Sequence, residues 1–289
     1  MTRPVLILLS GIPGSGKTTW AKNYISKNPD FVHLSSDAIR AELYGDENIQ
    51  GNPVEVFTLM QKKAVESLNA GYNVVYDATS MTRKDRAGII SMCPKFTHIQ
   101  CNIIWAPIET CIERDTERER TVGKEVIDRM LKRFQMPYYD EGIDEISIVQ
   151  PGNFNRDTYF ECIINAMKIP HDNPHHQLDI YNHCREAFNY AVEKNFDWEI
   201  REAAYCHDCG KPYVKSFVNT KGELSDVAHY YQHQCVGAWI ACGLTFNIHT
   251  IWLISTHMAP FLNEKYYKNL SPYLKTMVDQ LHECDVRAH

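Results

Sequence analysis

The sequence predicts two folds in tandem: an α/β domain built on a parallel sheet with helices on both faces, then an all-α bundle. Three observations predict it. An apolar run, Val5 to Leu9, leads into GIPGSGKT at Gly11–Thr18 and then into a helical stretch. Short apolar strands alternate with helical patterns as far as about residue 150, which is the signature of a sheet covered on both sides. From Gln177 onward strand signals fade, and apolar residues recur at helical spacing, as at Ile180, Cys184, Ala187, Phe188 and Ala191. Two domains are also what a chain of 289 residues leads one to expect.

The first element is read from its order: strand, glycine loop, helix. Glycines let successive backbone N–H groups curl around phosphate oxygens, and the helix N-terminus adds its partial positive charge at the same point. The G-x-x-x-x-G-K-[ST] pattern makes Gly11, Pro13, Gly14, Ser15, Gly16, Lys17, Thr18 and Thr19 a nucleoside triphosphate cradle. Lys17 reaches the terminal phosphates and the Thr18 hydroxyl holds Mg²⁺. The fold expected for this half is therefore a P-loop NTPase domain.

The following elements place acidic and basic groups around that loop. Trp20, Tyr24 and Ile25 lie at helical spacing, and Asn28-Pro29 ends the helix. Phe31–Leu34 is a second strand that delivers Ser35-Ser36-Asp37 to its carboxyl end, where ligands of open α/β sheets gather. Asp37 is thus a candidate catalytic carboxylate, with Arg40 a turn further on; the alternative is that Ser36 or Asp37 only caps the next helix. Asn52–Leu68 is helical and closed by Gly71, and Asn73–Asp77 is a strand ending in an acid. Asp77 suits the Mg²⁺ shell, with Thr79 beside it. A further strand covers His98–Trp105, and a helix begins near Pro107. In CIERDTERER, Cys111–Arg120, most charges read as a solvated helix face. Arg114 and Arg118 lie one turn apart there, and with Lys124–Phe134 they suggest a mobile lid whose arginine meets the phosphates.

GIPGSGKTTW, SSDAIR, DATSMTRKDR and R-x-x-x-R ahead of VIDRM occur in that order. Together they resemble the P-loop polynucleotide 5′-kinase family over residues 1–150. The resemblance implies that Asp37 is the general base for a 5′-hydroxyl and that Arg40 contacts the adjoining phosphate, on the polynucleotide side with Asp77 and Thr79. It also implies a lid arginine on the donor phosphates. Arg114, Arg118 and Arg120 compete for that place, and Arg118 is the choice. Gly123 stands near where relatives carry proline, a departure that bears on lid geometry.

Pro151-Gly152-Asn153 breaks the pattern and Ile169–Pro174 breaks it again, so residues 151–170 read as a linker, with Thr158–Met167 a short element within it. His33 and His98 apart, every histidine lies at or after His171. His183, the doublet His207-Asp208, His233, His257 and Asp285 recur every 24 to 28 residues, one position per helix, which is how metal sites in bundle cores are assembled. The order H, HD, D, with HDCGKP at the doublet, resembles the HD phosphohydrolase superfamily over residues 171–289. That resemblance implies metal ligation by His183, His207, Asp208 and Asp285. It further implies a phosphate contact from Lys211 and a second ion held by His233 and His257. Mn²⁺, Ni²⁺ or Co²⁺ suits such a donor set. Asp285 lies so near the last residue that a short final helix is expected.

The pairing resembles bifunctional kinase–phosphatase enzymes of RNA repair. It implies ATP-dependent phosphorylation of 5′-hydroxyl ends and hydrolysis of 2′,3′-cyclic phosphate or 3′-phosphate ends, on single-stranded RNA or DNA, upstream of a ligase. Asp37, Lys17, Arg118 and Lys211 are then the catalytic side chains. Two alternatives stay open: a nucleoside or sugar kinase fused to an HD nucleotidase, and a regulatory NTPase controlling a phosphohydrolase. A net charge of −6 argues against coating long duplexes but allows a grip on a strand end, for which Arg83, Lys84 and Arg86 are available unless they are merely a solvated face. No apolar run approaches the roughly 20 residues of a membrane span, and Val5–Leu9 is too short for a signal peptide, so a cytoplasmic protein is expected. The ten cysteines fit reduced thiols, since Cys206-x-x-Cys209 has no second pair to complete a zinc site.

Overall fold

A computed structural model describes residues 3–118, 121–173, 177–245, 247–262 and 264–288. The chain divides into two compact units: one of residues 1–130 and 137–152, the other of residues 131–136 and 153–289.

The first unit runs β1 (Val5–Ser10), α1 (Lys17–Lys27), β2 (Phe31–Ser35), α2 (Ser36–Tyr44), α3 (Pro53–Asn69), β3 (Asn73–Asp77), α4 (Arg83–Ile90), β4 (His98–Ile104), α5 (Ile108–Thr116), α6 (Lys124–Leu131) and β5 (Glu145–Val149). All five strands are parallel, in the order β2-β3-β1-β4-β5. The central strand β1 reads VLILLS and is buried along nearly its whole length, as a strand covered on both faces must be. Ile7, Leu9, Val75 and Ile104 pack with Ala21 of α1 into one core cluster, onto which Trp20 and Tyr24 close. β5, for which no strand was expected, has only one fully buried residue, Ile146, so its apolar signal is short.

Register aligns the strand ends that matter. Ser35 of β2 is paired with Asp77 of β3, and Leu8 of β1 with Tyr76, so the residues after Ser10, Ser35 and Asp77 emerge along one carboxyl edge. The loop after β3 is fastened there. The Gly11 N–H donates to Thr79 O (3.0 Å), and the Ser10 hydroxyl donates to Ser80 O (3.2 Å). Fully buried Arg86 donates to Ser80 O and, through Nε and Nη2, to both oxygens of Glu141 at 2.8 Å. Arg83 pairs with Asp140. Arg83 and Arg86 thus hold the fold together rather than forming a free basic face.

The second unit contains α7 (Arg156–Met167), α8 (Ile180–Glu193), α9 (Trp198–Cys206), α10 (Lys211–Val214), β6 (Ser216–Val218), β7 (Leu224–His229), α11 (His233–Leu244), α12 (Ile248–Thr256), α13 (Lys265–Lys268) and α14 (Pro272–Arg287). Three expectations are corrected. The second half is not all helix, because β6 and β7 form an antiparallel hairpin whose turn is Asn219–Gly222, with the Gly222 N–H on Asn219 O. Residues 151–170 are not simply a linker, since α7 belongs to this unit and buries Ile163 and Met167. The last helix is not short: α14 has 16 residues and buries Met277, Val278, Leu281 and Cys284. Among the described residues no helix is long and apolar enough to cross a membrane.

Candidate functional sites

In the first unit the phosphate loop is a backbone structure. Gly14 has φ +79°, and a Cβ there would lie 2.1 Å from Cys111 O; Gly16 has φ +101° and opens directly into α1. Only glycine satisfies both the turn and the close approach of α5. The loop borders a cavity of about 700 Å³, whose walls include Thr19, Trp20, Trp105, Arg114, Arg118 and Gln150. Lys17 donates to Ile12 O (3.0 Å), so without a ligand its ammonium is folded back onto the loop, and burial pushes it down to about 8. The Thr18 side chain is exposed at the first turn of α1.

The lid arginines differ from expectation in one respect. α5 ends at Thr116, so Arg118 lies beyond the helix rather than a turn along it, yet both Arg114 and Arg118 line the loop cavity. Arg114 Nη1 donates to Gly14 O at 3.4 Å, while Arg118 is exposed. Arg120 lies outside the described residues. Buried Asp115 accepts from the N–H groups of Val122 and Gly123 and so pins the segment that follows; sequence reading had left it among the solvated charges.

Asp37 stands on the first turn of α2 and Arg40 three residues further along it. The cap of that helix is Ser35, whose hydroxyl accepts the Ala38 N–H, so neither Ser36 nor Asp37 is used as a cap. Asp37 is exposed and its Oδ1 accepts from Arg40 Nη1 at 2.8 Å. Arg40 keeps a buried Nε–H with no acceptor among the described residues. An uncompensated buried donor of this kind costs stability and is open to an acceptor. Asp77 is buried, its Oδ2 3.2 Å from His33 Nε2, a partner that sequence reading missed because the two meet across neighbouring strands. Thr79 contributes its carbonyl to the base of the loop.

The second unit gathers the predicted His and Asp residues into one cluster. His183 comes from α8, His207 and Asp208 from the end of α9, His233 from the start of α11, His257 from the end of α12 and Asp285 from the last turns of α14. Gly210 allows the turn to seat: a Cβ there would lie 2.1 Å from His233 O and 2.5 Å from Gly237 N. Asp285 Oδ1 is 3.0 Å from His183 Nε2 and 3.4 Å from His207 Nε2. Asp208 lies in the middle, with Oδ2 at 3.7 Å from His183 Nε2 and 3.5 Å from His207 Nε2, and Oδ1 at 3.2 Å from His233. All of these are buried apart from a partly accessible Asp285.

Tautomers follow from the backbone. The Nδ1 atoms of His183, His207, His233 and His257 each lie 2.8 Å from a carbonyl, of Ala288, Ala204, Tyr230 and Ile254 respectively. A carbonyl only accepts, so each Nδ1 carries a proton, which leaves Nε2 as the ring atom able to turn a lone pair to an ion. Those Nε2 atoms face one another: His183 and His207 at 3.3 Å, His233 and His257 at 3.0 Å. Ring nitrogens this close need either a cation or a proton between them. The spacing matches ligands about 2.0–2.1 Å from a shared ion. His183, His207 and Asp208 could hold one ion, with Asp285 adjoining, and Asp208, His233 and His257 a second. Burial drives His257 down to about 3, with His233 and His207 adding to the effect. Burial alone would raise Asp208, but Lys211 and His207 hold it well below the usual carboxylate range.

Lys211 is buried, its Nζ 2.6 Å from Asp208 Oδ2 and 3.2 Å from His171 Nε2. His171 was read as part of a chain break. It is in fact buried, its Nδ1 held by Leu178 O at 2.8 Å, and it steadies the Lys211 ammonium at the edge of the cluster. Its isolation before Pro174, off any periodic helix, hid it. Among the described residues Cys206 and Cys209 join no group of metal-ligating side chains, and Cys209 Sγ donates to Gly237 O.

Parallel five-stranded sheet, glycine loop and flanking helices define the first unit as a P-loop, kinase-like domain. Residues 6–137 match the family described as an AAA domain. Over 141 residues, 46% of this chain and 53% of the relative, the sequence is 28% identical to an L-seryl-tRNA(Sec) kinase of Methanococcus maripaludis. The chain thus spans about half the length of that protein. Among solved structures it is similar to a chain of the Pnkp1/Rnl/Hen1 RNA repair complex, with TM-score 0.42 and 21% identity over 46% of this chain and 44% of that one. A gluconokinase from Sinorhizobium meliloti gives TM-score 0.37 and 16% identity over 53% of this chain and 86% of that one.

Proposed function

We propose that the chain is a nucleic-acid end-healing enzyme. Its first unit transfers the γ-phosphoryl group of ATP to a 5′-hydroxyl end. Its second hydrolyses 2′,3′-cyclic phosphate or 3′-phosphate ends. The observation that carries the first half is the pairing of exposed Asp37 with Arg40, whose buried Nε–H has no acceptor among the described residues. A base beside a guanidinium with an open donor describes an acceptor that brings its own phosphate, as a polynucleotide end does and a free nucleoside or simple sugar does not. The relation to a seryl-tRNA(Sec) kinase supports phosphoryl transfer to a hydroxyl.

In this reading Asp37 takes the proton of the attacking hydroxyl, and Arg40 orients it through the adjoining phosphate. Lys17 swings from Ile12 O to the donor phosphates, and Arg118, with Arg114, neutralises charge that develops in transfer. Thr18 and Asp77 would hold Mg²⁺, whose charge would screen the same phosphates.

The second unit is read as an HD-type phosphohydrolase. His183, His207, Asp208 and Asp285 hold one divalent transition metal ion and Asp208, His233 and His257 another. Bound ions of this kind supply Lewis acidity and a nucleophilic water at neutral pH. Asp208 orients both histidine sets, and Lys211, steadied by His171, meets the phosphate that is to be cleaved. His183, His207, Asp208, His233 and His257 are buried, which strengthens each of these contacts.

The test is incubation with γ-labelled ATP, Mg²⁺ and Mn²⁺ and two short RNAs, one ending in a 5′-hydroxyl and one in a 2′,3′-cyclic phosphate. Label on the first and loss of terminal phosphate from the second are expected. ATP consumption with no label on RNA would favour the small-molecule kinase or regulatory NTPase readings instead.

A further inference from the structure

A second cavity, of about 290 Å³, lies within the helical unit and has no part in the chemistry above. Its walls carry the rings of Phe160 from α7, Phe188 from α8, and Trp198 and Tyr205 from α9. Phe160 and Tyr205 are near parallel, 12° apart, and Phe188 meets Tyr205 edge to face at 5.6 Å. Trp198 at the rim is 62% exposed, a large apolar surface to leave in water.

One charged group lines this apolar space: Glu202. Its Oε2 accepts the Thr250 hydroxyl at 2.8 Å, and among the described residues no cation lies within ion-pair distance of it. Arg201, its neighbour in sequence, spends its guanidinium on Phe196 O and Asn195 Oδ1. A half-buried carboxylate without a counter-ion is expensive in an apolar setting. Aromatic faces carry negative potential, so four rings and a carboxylate around one cavity all favour the same guest.

We infer that this cavity is a binding site for a small organic ammonium ion, one whose charge is wrapped in apolar substituents. The rings stack on the substituents and face the cation, and Glu202 supplies the counter-charge that the protein does not neutralise itself. A neutral guest of the same shape gains the apolar contact alone, and an anionic guest meets Glu202. The inference stands independently of the end-healing reading.

Choline and 3,3-dimethylbutan-1-ol share a shape and a hydroxyl and differ by the positive charge, so any contact of the hydroxyl with the histidine cluster is common to both and drops out of the comparison. Titration calorimetry on the full chain saturated with ATP should show choline binding about 10-fold more tightly than the alcohol, the size expected of cation–aromatic attraction reinforced by a carboxylate. Glu202→Gln keeps an acceptor for Thr250 and should erase most of that preference without weakening the alcohol. Trp198→Leu, at the exposed rim, should weaken both guests. Equal binding of the two guests, no binding of either, or a preference that survives Glu202→Gln would each overturn the inference; thermal melts of both variants establish that they are folded.

Discussion

The two units build their sites from opposite materials. The phosphate loop is made of main chain, within eight consecutive residues, and its specificity lies in what glycine permits. The histidine cluster is made of side chains from five helices, each imidazole aimed by a carbonyl one bond network away. A backbone site tolerates change in most of its side chains but not in its dihedral angles. A side-chain site does the reverse, and its parts fail one at a time.

Asp208→Ala should test that contrast hardest. Asp208 touches both histidine sets, so metal content should fall to background and phosphate release from cyclic-phosphate RNA by about a thousandfold or more, as expected when metal-dependent activation of water is lost. ATP-dependent labelling of 5′-hydroxyl RNA should stay at the wild-type level. Metal analysis with both assays decides the matter, and retained metal would break the ligand assignment. In the other unit, Asp37→Asn should cost phosphoryl transfer on the order of 10²–10⁴-fold, the range for a general base. ATP affinity should be unchanged by equilibrium titration.

Gly14→Ala probes the backbone directly. A methyl group at φ +79° meeting Cys111 O at 2.1 Å should displace the loop from α5 and weaken ATP binding by about 10- to 100-fold. His233→Ala probes the opposite case, the removal of one part. It should halve the metal bound at saturation while His183 and His207 keep theirs, and stoichiometry that drops straight to zero would argue for a single shared ion.

The smallest effect is a proton. Lys17 is near 8 in the nucleotide-free protein, and donor phosphates favour its charged form. ATP binding at pH 8 should therefore take up part of a proton, an uptake that vanishes by pH 6, where Lys17 is already charged. Calorimetry in buffers of different ionisation enthalpy reads it directly. The sign for stability follows: between about 8 and the unfolded value of 10.5 the unfolded chain holds more protons, so stability of the nucleotide-free protein rises through that window.

The same contrast explains what was legible in advance. GIPGSGKT could be read because every atom it needs lies in one stretch; β1 leads into it, and α1, β2, α2, α3 and β3 follow with clear periods. The histidine spacing was readable because one residue per helix recurs at helix-pair length. His33 against Asp77 and His171 against Lys211 were not, since each depends on strands or turns meeting far from one another in sequence. β6 and β7 escaped for a different reason: a hairpin of three and six residues, with Leu224 87% exposed, buries too little to impose a period of two. Asp115 was hidden by its neighbours, one buried carboxylate among solvated charges.

Residues 131–136 leave the first unit for the second, and the chain then returns for β5 before crossing a last time at residue 153. Phe134 is wholly buried, edge-on to Trp239 at 5.4 Å, and the Met136 N–H donates to the Ser255 hydroxyl. The histidine unit therefore carries a plug that is encoded upstream of its own main segment. A fragment starting at Asn153 would expose the face of Trp239, whereas a protease nick between residues 136 and 153 would leave the plug seated. Such a unit does not travel as a cassette: grafting it elsewhere means carrying Leu131–Met136 along, or finding another aromatic ring to take the place of Phe134.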